Sequence, residues 1–186
     1  MRLFVAVDLP DELTDEFEAV QDELREAAGL TFTDPTQAHV TVKFLGETDS
    51  GRIDAVTTTL ETAIDDAAVD PFECTVGGIG AFPSHEYISV VWAGVRPGAG
   101  DRALTRLHES VERETIAIGF EPDSHEFTPH FTLARMKDAR GKELVQEALE
   151  TLDPTIGTFE VRELRLKEST LTPEGPEYRT VERFSL

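Results

Sequence analysis

Two short segments place a histidine two residues before a threonine at the start of an apolar, β-branched run. They are His39-x-Thr41 and His130-x-Thr132. In a β-strand, residues i and i+2 project from the same face, roughly 6–7 Å apart along the strand. Each segment therefore predicts a strand that presents one imidazole and one hydroxyl on the face opposite its apolar residues.

Paired imidazoles can move protons in both directions. Because the unperturbed pKa of histidine is near 6.5, a neutral ring and a protonated ring can coexist at one pH. The neutral ring can take a proton from water while the charged ring gives one to a leaving oxygen. Threonine hydroxyls can donate hydrogen bonds to the non-bridging oxygens of a phosphate. This combination predicts in-line opening of a phosphodiester without a metal ion and without a nucleophilic side chain.

Two other uses of these histidines were weighed, a metal site and a purely structural role. Zinc usually takes three or four ligands at close spacing, but the sequence has no His-Glu-x-x-His and no acidic residue at a repeated offset in both segments. We therefore predict no metal site. The structural interpretation is that both histidines merely satisfy hydrogen bonds at strand edges. The remaining histidines, His85, His108 and His125, have no partner segment, and we interpret them as surface residues.

The two segments lie 91 positions apart (130 − 39) in a chain of 186 residues, a spacing that a duplicated half-domain gives. A strand–helix–strand–helix order occurs twice, with hairpins between the repeats and at the end. The predicted helices cover residues 13–28, 53–64, 101–118 and 142–152. We predict an α+β fold with two pseudo-symmetric lobes of antiparallel or mixed sheet, outer helices and a central cleft. The prediction treats residues 1–186 as a single bilobal domain.

The composition bounds the environment of the protein. The net charge is −20, and only four of the 17 basic residues are lysines. This charge disfavours non-specific nucleic-acid binding, whereas acidic, lysine-poor surfaces suit concentrated salt, which screens charge repulsion. We hypothesise a halophile's cytosolic protein. No window approaches 18 apolar residues, and the lone Cys74 excludes an internal disulfide. A cytoplasmic monomer without a membrane partner is expected.

With their flanks, the two segments resemble the 2H phosphoesterase superfamily, and more narrowly the RNA 2′,3′-cyclic phosphodiesterases, also called 2′-5′ RNA ligases. The similar stretches are residues 2–10, 39–47, 80–83 with 90–92, and 130–135. They follow the order of the family from the first residue to the closing hairpin. The paired motif is specific to the superfamily, and the flanking stretches favour this branch.

The resemblance implies hydrolysis of an RNA-terminal 2′,3′-cyclic phosphate to a 2′-phosphate without a cofactor, with 2′-5′ ligation as a side activity. It implies that His39 protonates the leaving 3′ oxygen, that His130 activates water, and that Thr41 and Thr132 hold the phosphate. Arg135 is a further candidate phosphate contact. Because strict alternation places Arg135 on the face opposite His130, this role requires a bulge or a strand end.

Alternation also places Lys43 on the face of His39, where we interpret it as a solvated strand-end residue. Phe82 can stack a base or cap the core. The expected partner is an RNA 3′ end or a small cyclic-phosphate nucleotide. A catalytically idle RNA-end or nucleotide-binding module on the same fold is the alternative. Intact histidine and threonine in both segments favour an enzyme, because a binding module needs no pair of proton carriers.

Overall fold

A computed structural model describes all residues of the chain, 1–186. It contains nine β-strands and four α-helices, joined by short 3₁₀ turns. The elements are β1 (Arg2–Asp8), α1 (Thr14–Asp22), β2 (Leu30–Phe32), β3 (His39–Glu47), α2 (Ile53–Ala67), β4 (Phe72–Pro83), β5 (Ile88–Val95), α3 (Ala99–Ala117), β6 (His130–Met136), α4 (Lys142–Thr151), β7 (Thr155–Val161), β8 (Glu163–Thr172) and β9 (Gly175–Ser185).

All nine strands form one antiparallel sheet in the order β7-β4-β5-β6-β3-β1-β8-β9, with β2 also paired to β6. The two histidine strands, β3 and β6, are central neighbours, and one residue pair, Val40 with Phe131, joins them. The boundary between β3 and β6 divides this order into two halves of four strands each. One half contains the unit β1-α1-β3-α2, and the other contains the matching unit β5-α3-β6-α4. The predicted α+β class is confirmed, with an antiparallel sheet.

The hydrophobic core lies on one face of the sheet. Val40 and Val42 of β3 and Phe131 of β6 are fully buried there with helix residues such as Leu60 and Leu107. Burying side chains of this size contributes about 1.5–3 kcal/mol each. The alternate residues of both central strands project from the opposite face, which we call the histidine face. It carries His39, Thr41, His130 and Thr132.

Both central strands contain one-residue bulges, one in β6 and two in β3, where a second step, from Gly46 to Phe44, lies opposite Leu3 and Phe4 of β1. Between Val5 and Ala6 of β1 the partner positions on β3 step from Lys43 to Thr41, so β3 holds one extra residue. As a result Val42 and Lys43 are both buried, and the next residue, Phe44, reaches the histidine face with 63% of its surface exposed. A bulge adds a residue on one strand only and so shifts every later side chain to the other face.

The bulge of β6 follows the same pattern. Its partner positions step from Ala134 to Thr132 opposite consecutive residues of β5. Leu133 and Ala134 are consequently both buried. Arg135 is therefore exposed on the same face as Thr132, and the bulge that a site role for Arg135 requires is present.

Two residues predicted at the surface are buried beside the β3 bulge. Lys43 keeps only 1% of its surface exposed, and its Nζ lies 2.5 Å from Glu112 Oε2 and 2.8 Å from Asp123 Oδ1. His108 is 8% exposed, and its Nδ1 lies 2.8 Å from the carbonyl oxygen of Val42. The predictions for Lys43 and His108 were wrong because the bulge turns Lys43 into the core, where carboxylates and a histidine satisfy the local polar groups.

The helix positions agree with the predicted segments, although α1 ends at Asp22 rather than at residue 28. Strand β2 was not predicted, whereas the predicted hairpin at the end of the chain is present as β8 and β9. His85 and His125 are exposed as predicted. None of the four helices combines the length and the apolar character that crossing a membrane requires.

Candidate active site

The pairing of β3 with β6 brings the two histidines together. Because Val40 lies opposite Phe131 in an antiparallel pair, His39 is next to Thr132 and Thr41 is next to His130. The two histidines are then diagonal neighbours on one face, with Cα atoms roughly 7–8 Å apart. All four predicted side chains thus converge on the seam between the two halves of the sheet.

The two imidazoles are held in the same way. Nδ1 of His39 lies 2.8 Å from the carbonyl oxygen of Gln37, and Nδ1 of His130 lies 2.7 Å from that of Thr128. Each acceptor belongs to the residue two positions earlier in the chain. A carbonyl oxygen only accepts hydrogen bonds, so Nδ1 carries the hydrogen in both rings. Nε2 of each ring is therefore the atom left to exchange a proton with a substrate.

His39 lies among aromatic rings and charged groups. The ring of Tyr178 meets it edge-on, with centroids 4.9 Å apart and planes at 85°, and the ring of Phe4 lies 5.0 Å away. Burial and, to a lesser extent, the nearby Lys167 ammonium lower the pKa of His39 to about 4, although the hydrogen bond to the Gln37 carbonyl and the charge of Asp8 oppose this shift. The carboxylate of Asp8 accepts a hydrogen bond of 2.7 Å from Lys167, which limits the effect of that cation.

His130 has a matching environment. Phe82 of β4 meets its ring edge-on at the same 4.9 Å and 85°, and Trp92 lies 5.9 Å away. Phe82 therefore packs against a histidine rather than capping the core at a turn. Gly80 makes room for the indole, since a Cβ at this position would lie 2.2 Å from a ring carbon of Trp92. Burial lowers the pKa of His130, and the positive charge of Arg135 lowers it further.

These pKa directions predict the pH dependence of catalysis. In the two-histidine mechanism predicted from the sequence, the active free enzyme carries one proton on the histidine pair, so kcat/KM falls about tenfold per pH unit above the higher pKa and below the lower one. Both pKa values are lower than 6.5. We expect kcat/KM for a cyclic mononucleotide to peak below about pH 6.5 and to be falling at pH 7. A plateau that extends to alkaline pH contradicts this expectation.

Counting five residues from each histidine gives Phe44 and Arg135, the first residues after the bulges that return to the histidine face. Arg135 was considered for the site, but Phe44 was not. The identical offset from the two histidines was the signal in the sequence. The ring of Phe44 lies 6.1 Å from that of Phe4, which also contacts His39, so the exposed aromatic surface adjoins the histidine pair.

A cavity of about 480 Å³ opens beside Phe44. It lies between the end of β3 and residues 119–124, which include Phe120, and Arg52 also lines it. This volume lies in the range of small-molecule sites. Another cavity of about 230 Å³ lies between α1 and α4, on elements that carry none of the predicted site residues. No group of three or more His, Cys, Asp or Glu side chains is placed to hold one metal ion.

Comparison with known proteins agrees with this architecture. A family model described as the 2′-5′ RNA ligase superfamily matches residues 9–170. A curated relative from Methanothermobacter thermautotrophicus, named RNA 2′,3′-cyclic phosphodiesterase, is 34% identical over 100% of this chain and 99% of its own length. A relative of the same name from Archaeoglobus fulgidus is also 34% identical, over 99% of both chains.

Solved structures share the fold over the whole chain. A crystal structure of a protein from Thermus thermophilus has 28% identity and a TM-score of 0.81, with 100% of this chain and 98% of that chain covered. Escherichia coli LigT, crystallised with 3′-AMP, has 22% identity and a TM-score of 0.80 and covers 100% and 97%. The family inferred from the paired motifs is confirmed, as is the prediction of an enzyme. The chain belongs to the 2′-5′ RNA ligase superfamily of 2H phosphoesterases.

Proposed function

We propose that the protein hydrolyses an RNA-terminal 2′,3′-cyclic phosphate to a 2′-phosphate by metal-independent acid–base catalysis with two histidines. The observation that carries this proposal is the matched pair of imidazoles on one sheet face. Each ring has its Nδ1 bound to a carbonyl and its Nε2 left for the substrate. Structural histidines at strand edges would not require this shared geometry. The names of the full-length relatives support the substrate class.

In this mechanism His39 donates a proton to the leaving 3′ oxygen and His130 accepts a proton from the attacking water. The pKa of His39 in the protein alone is about 4, so its ring is neutral at pH 7. The phosphodiester anion favours the protonated form of a nearby imidazole and therefore raises this pKa when substrate binds. Once charged, a ring with a low intrinsic pKa gives up its proton readily to the leaving oxygen.

Thr41 and Thr132 donate hydrogen bonds to the non-bridging phosphate oxygens, and Arg135 supplies a positive charge that offsets the charge of the transition state. Their positions beside the histidines support these roles. The exposed ring of Phe44 stacks the terminal base. Recognition of one nucleotide neutralises few phosphates, which makes an RNA end compatible with a net charge of −20.

The direct test is turnover of a 2′,3′-cyclic mononucleotide in excess EDTA, with the product identified as the 2′- or 3′-phosphate. We expect full activity with chelator and the 2′-phosphate as product. Binding of the cyclic nucleotide without turnover would establish the idle binding module instead. Turnover that EDTA abolishes and a divalent ion restores would contradict the two-histidine mechanism. Faster turnover of a small cyclic nucleotide than of any RNA end would favour the alternative substrate class.

We further propose that residues 1–186 act as one bilobal, monomeric domain in the cytoplasm of a salt-rich cell. None of the 37 acidic residues is buried, whereas Lys43 and Lys167, two of the four lysines, are. The surface is therefore even more negative than the composition indicates, and salt screening lowers its self-repulsion.

We expect the melting temperature to rise as KCl is raised from dilute buffer to molar concentration. Sucrose at matched viscosity provides the control for general solvent effects. Full stability in dilute buffer, combined with loss of fold in molar KCl, would refute the halophilic interpretation.

A further inference from the structure

The aromatic environments of the two histidines differ in one polar atom. Tyr178 and Phe82 contact His39 and His130 at identical centroid distances and angles. Because phenylalanine meets the packing requirement at His130, the hydroxyl of Tyr178 is not needed for packing at His39. Tyr178 donates its backbone N–H to Gln37 Oε1 at 3.2 Å, but its hydroxyl makes no hydrogen bond within the protein.

Two guanidinium groups share the sheet face of this hydroxyl. Arg2 lies in one cross-strand row with Tyr178, because both pair with Ser169 of β8, and Arg135 reaches the same face beyond the β6 bulge. Burial raises the pKa of Tyr178, and the positive charges of Arg135 and Arg2 oppose that rise. Arg2 is exposed and forms neither an ion pair nor a side-chain hydrogen bond. Its neighbour Leu3 belongs to the core, so Arg2 shares the histidine face with Phe4, whose ring contacts both His39 and Tyr178. The free hydroxyl and the free cation thus belong to one surface.

The register of β1 against β3 orders the groups on this surface. Asp8 lies opposite His39, Ala6 opposite Thr41, and Phe4 opposite Phe44. Arg2 follows two residues beyond Phe4. Along the strand direction the histidine face therefore presents the imidazole of His39, the hydroxyl of Thr41, the aromatic rings of the Phe4–Phe44 pair and the guanidinium of Arg2, in that order. The six-residue separation of Arg2 from Asp8 corresponds to roughly 20 Å along β1, which places Arg2 at the opposite end of the strand from the residue that pairs with His39.

We propose that Arg2 and the Tyr178 hydroxyl bind the phosphodiester on the 5′ side of the terminal nucleotide, so that the enzyme favours RNA ends over free cyclic mononucleotides. The inference rests on the proposed function and extends its substrate by one phosphate. The guanidinium of arginine suits the two oxygens of a phosphodiester, and a neutral phenol adds a donor.

The distribution of charge supports this assignment. In a chain with 37 acidic residues, unpaired cations are few. The basic side chains without any protein partner are Arg2, Arg102, Arg135, Lys137 and Lys142. Two of these five, Arg2 and Arg135, lie beside Tyr178 on the histidine face. Phosphates of the substrate, bound on this face, pair with these unpaired arginines. Because this site adds contacts to only one further phosphate, the affinity for long RNA stays low.

The test compares two substrates, a 2′,3′-cyclic mononucleotide and a dinucleotide that ends in the same cyclic phosphate. We expect the wild-type kcat/KM to be higher for the dinucleotide. Arg2→Gln and Tyr178→Phe should each lower the dinucleotide value about tenfold, as expected for loss of a hydrogen bond to a charged group. The mononucleotide value should change by less than about twofold. The salt dependence of dinucleotide binding should weaken by about one unit of slope in Arg2→Gln.

The matched controls are Tyr87→Phe, which removes the hydroxyl of the other tyrosine, and Arg102→Gln, which removes an unpaired cation on α3. Both should retain the wild-type preference. Equal losses on the two substrates, or no loss in either variant, would overturn the 5′ phosphodiester site while leaving the catalytic proposal intact. Failure of the wild-type protein to hydrolyse either substrate would overturn the proposed function itself, and the subsite with it.

Discussion

Replacing either His39 or His130 with alanine is expected to lower kcat/KM for a 2′,3′-cyclic mononucleotide by about 10²–10⁴-fold, the usual contribution of a general acid or base. Neither ring has another histidine to replace it, since the two central strands β3 and β6 contain no third one. Steady-state kinetics on both variants provides the measurement. A near-wild-type rate in either variant would contradict the two-histidine mechanism.

The roles of the two rings can be separated with a better leaving group. A nucleoside phosphodiester with p-nitrophenolate as leaving group needs no protonation of the departing oxygen. His39→Ala should therefore lose much less activity on this substrate than on the cyclic phosphate, whereas His130→Ala should be impaired on both. If His130→Ala instead keeps activity on this substrate while His39→Ala loses it, His130 is the general acid and His39 the general base. His125→Ala, which removes an exposed histidine outside the seam, is the matched control and should be unchanged.

Lys43→Met is expected to have the largest effect on stability. The ammonium of Lys43 holds Glu112, Asp123 and the carbonyl of Glu121, and its removal leaves two carboxylates without their cation. Breaking a buried ion pair costs about 3–5 kcal/mol. We expect about 3 kcal/mol, because the carboxylates keep 19% and 32% exposure. Urea unfolding measures the loss, and the melting temperature should fall by about 6–12 °C.

The same pair has a predictable pH dependence. Burial alone would lower the pKa of Lys43, but the two carboxylates outweigh it and raise the value, while Lys43 lowers the pKa of Glu112 against the effect of burial. The stabilisation is therefore present above the unfolded pKa of glutamate and lost as the pH falls through the folded pKa. The difference between wild type and Lys43→Met should shrink in acid. Lys137→Met, at an exposed lysine without a partner, should change stability by less than about 0.5 kcal/mol.

The sequence predicted those parts of the structure in which buried residues recur at a regular spacing along a strand or a helix. Alternation in the two motifs identified the faces of His39, Thr41, His130 and Thr132 correctly, and helical spacing located the helices. The errors begin at the bulges, where a single extra residue reverses the alternation. Lys43 then enters the core, His108 follows it to satisfy the Val42 carbonyl, and Phe44 turns outward. A bulge leaves no periodic signal within one strand.

Contacts between distant strands were also beyond prediction. Tyr178 reaches His39 from β9, and Lys167 of β8 binds Asp8 of the neighbouring β1, at separations of more than a hundred residues in the chain. The order in which strands pair within the sheet decides which residues become neighbours in this way. That order cannot be derived from the residue pattern of a single strand. By contrast, the equal offset of Phe44 and Arg135 from the two histidines was readable, and it becomes meaningful once both central strands are known to bulge.

The indole packed over Gly80 gives the protein an optical reporter. Trp92 is the only tryptophan of the chain, and its ring lies 5.9 Å from that of His130. An imidazolium quenches indole fluorescence more strongly than a neutral imidazole does. The emission intensity should therefore follow the charge of His130 during an acid titration. Proton uptake at one histidine of the proposed catalytic pair can thus be observed in the unlabelled protein, with and without a phosphate ligand.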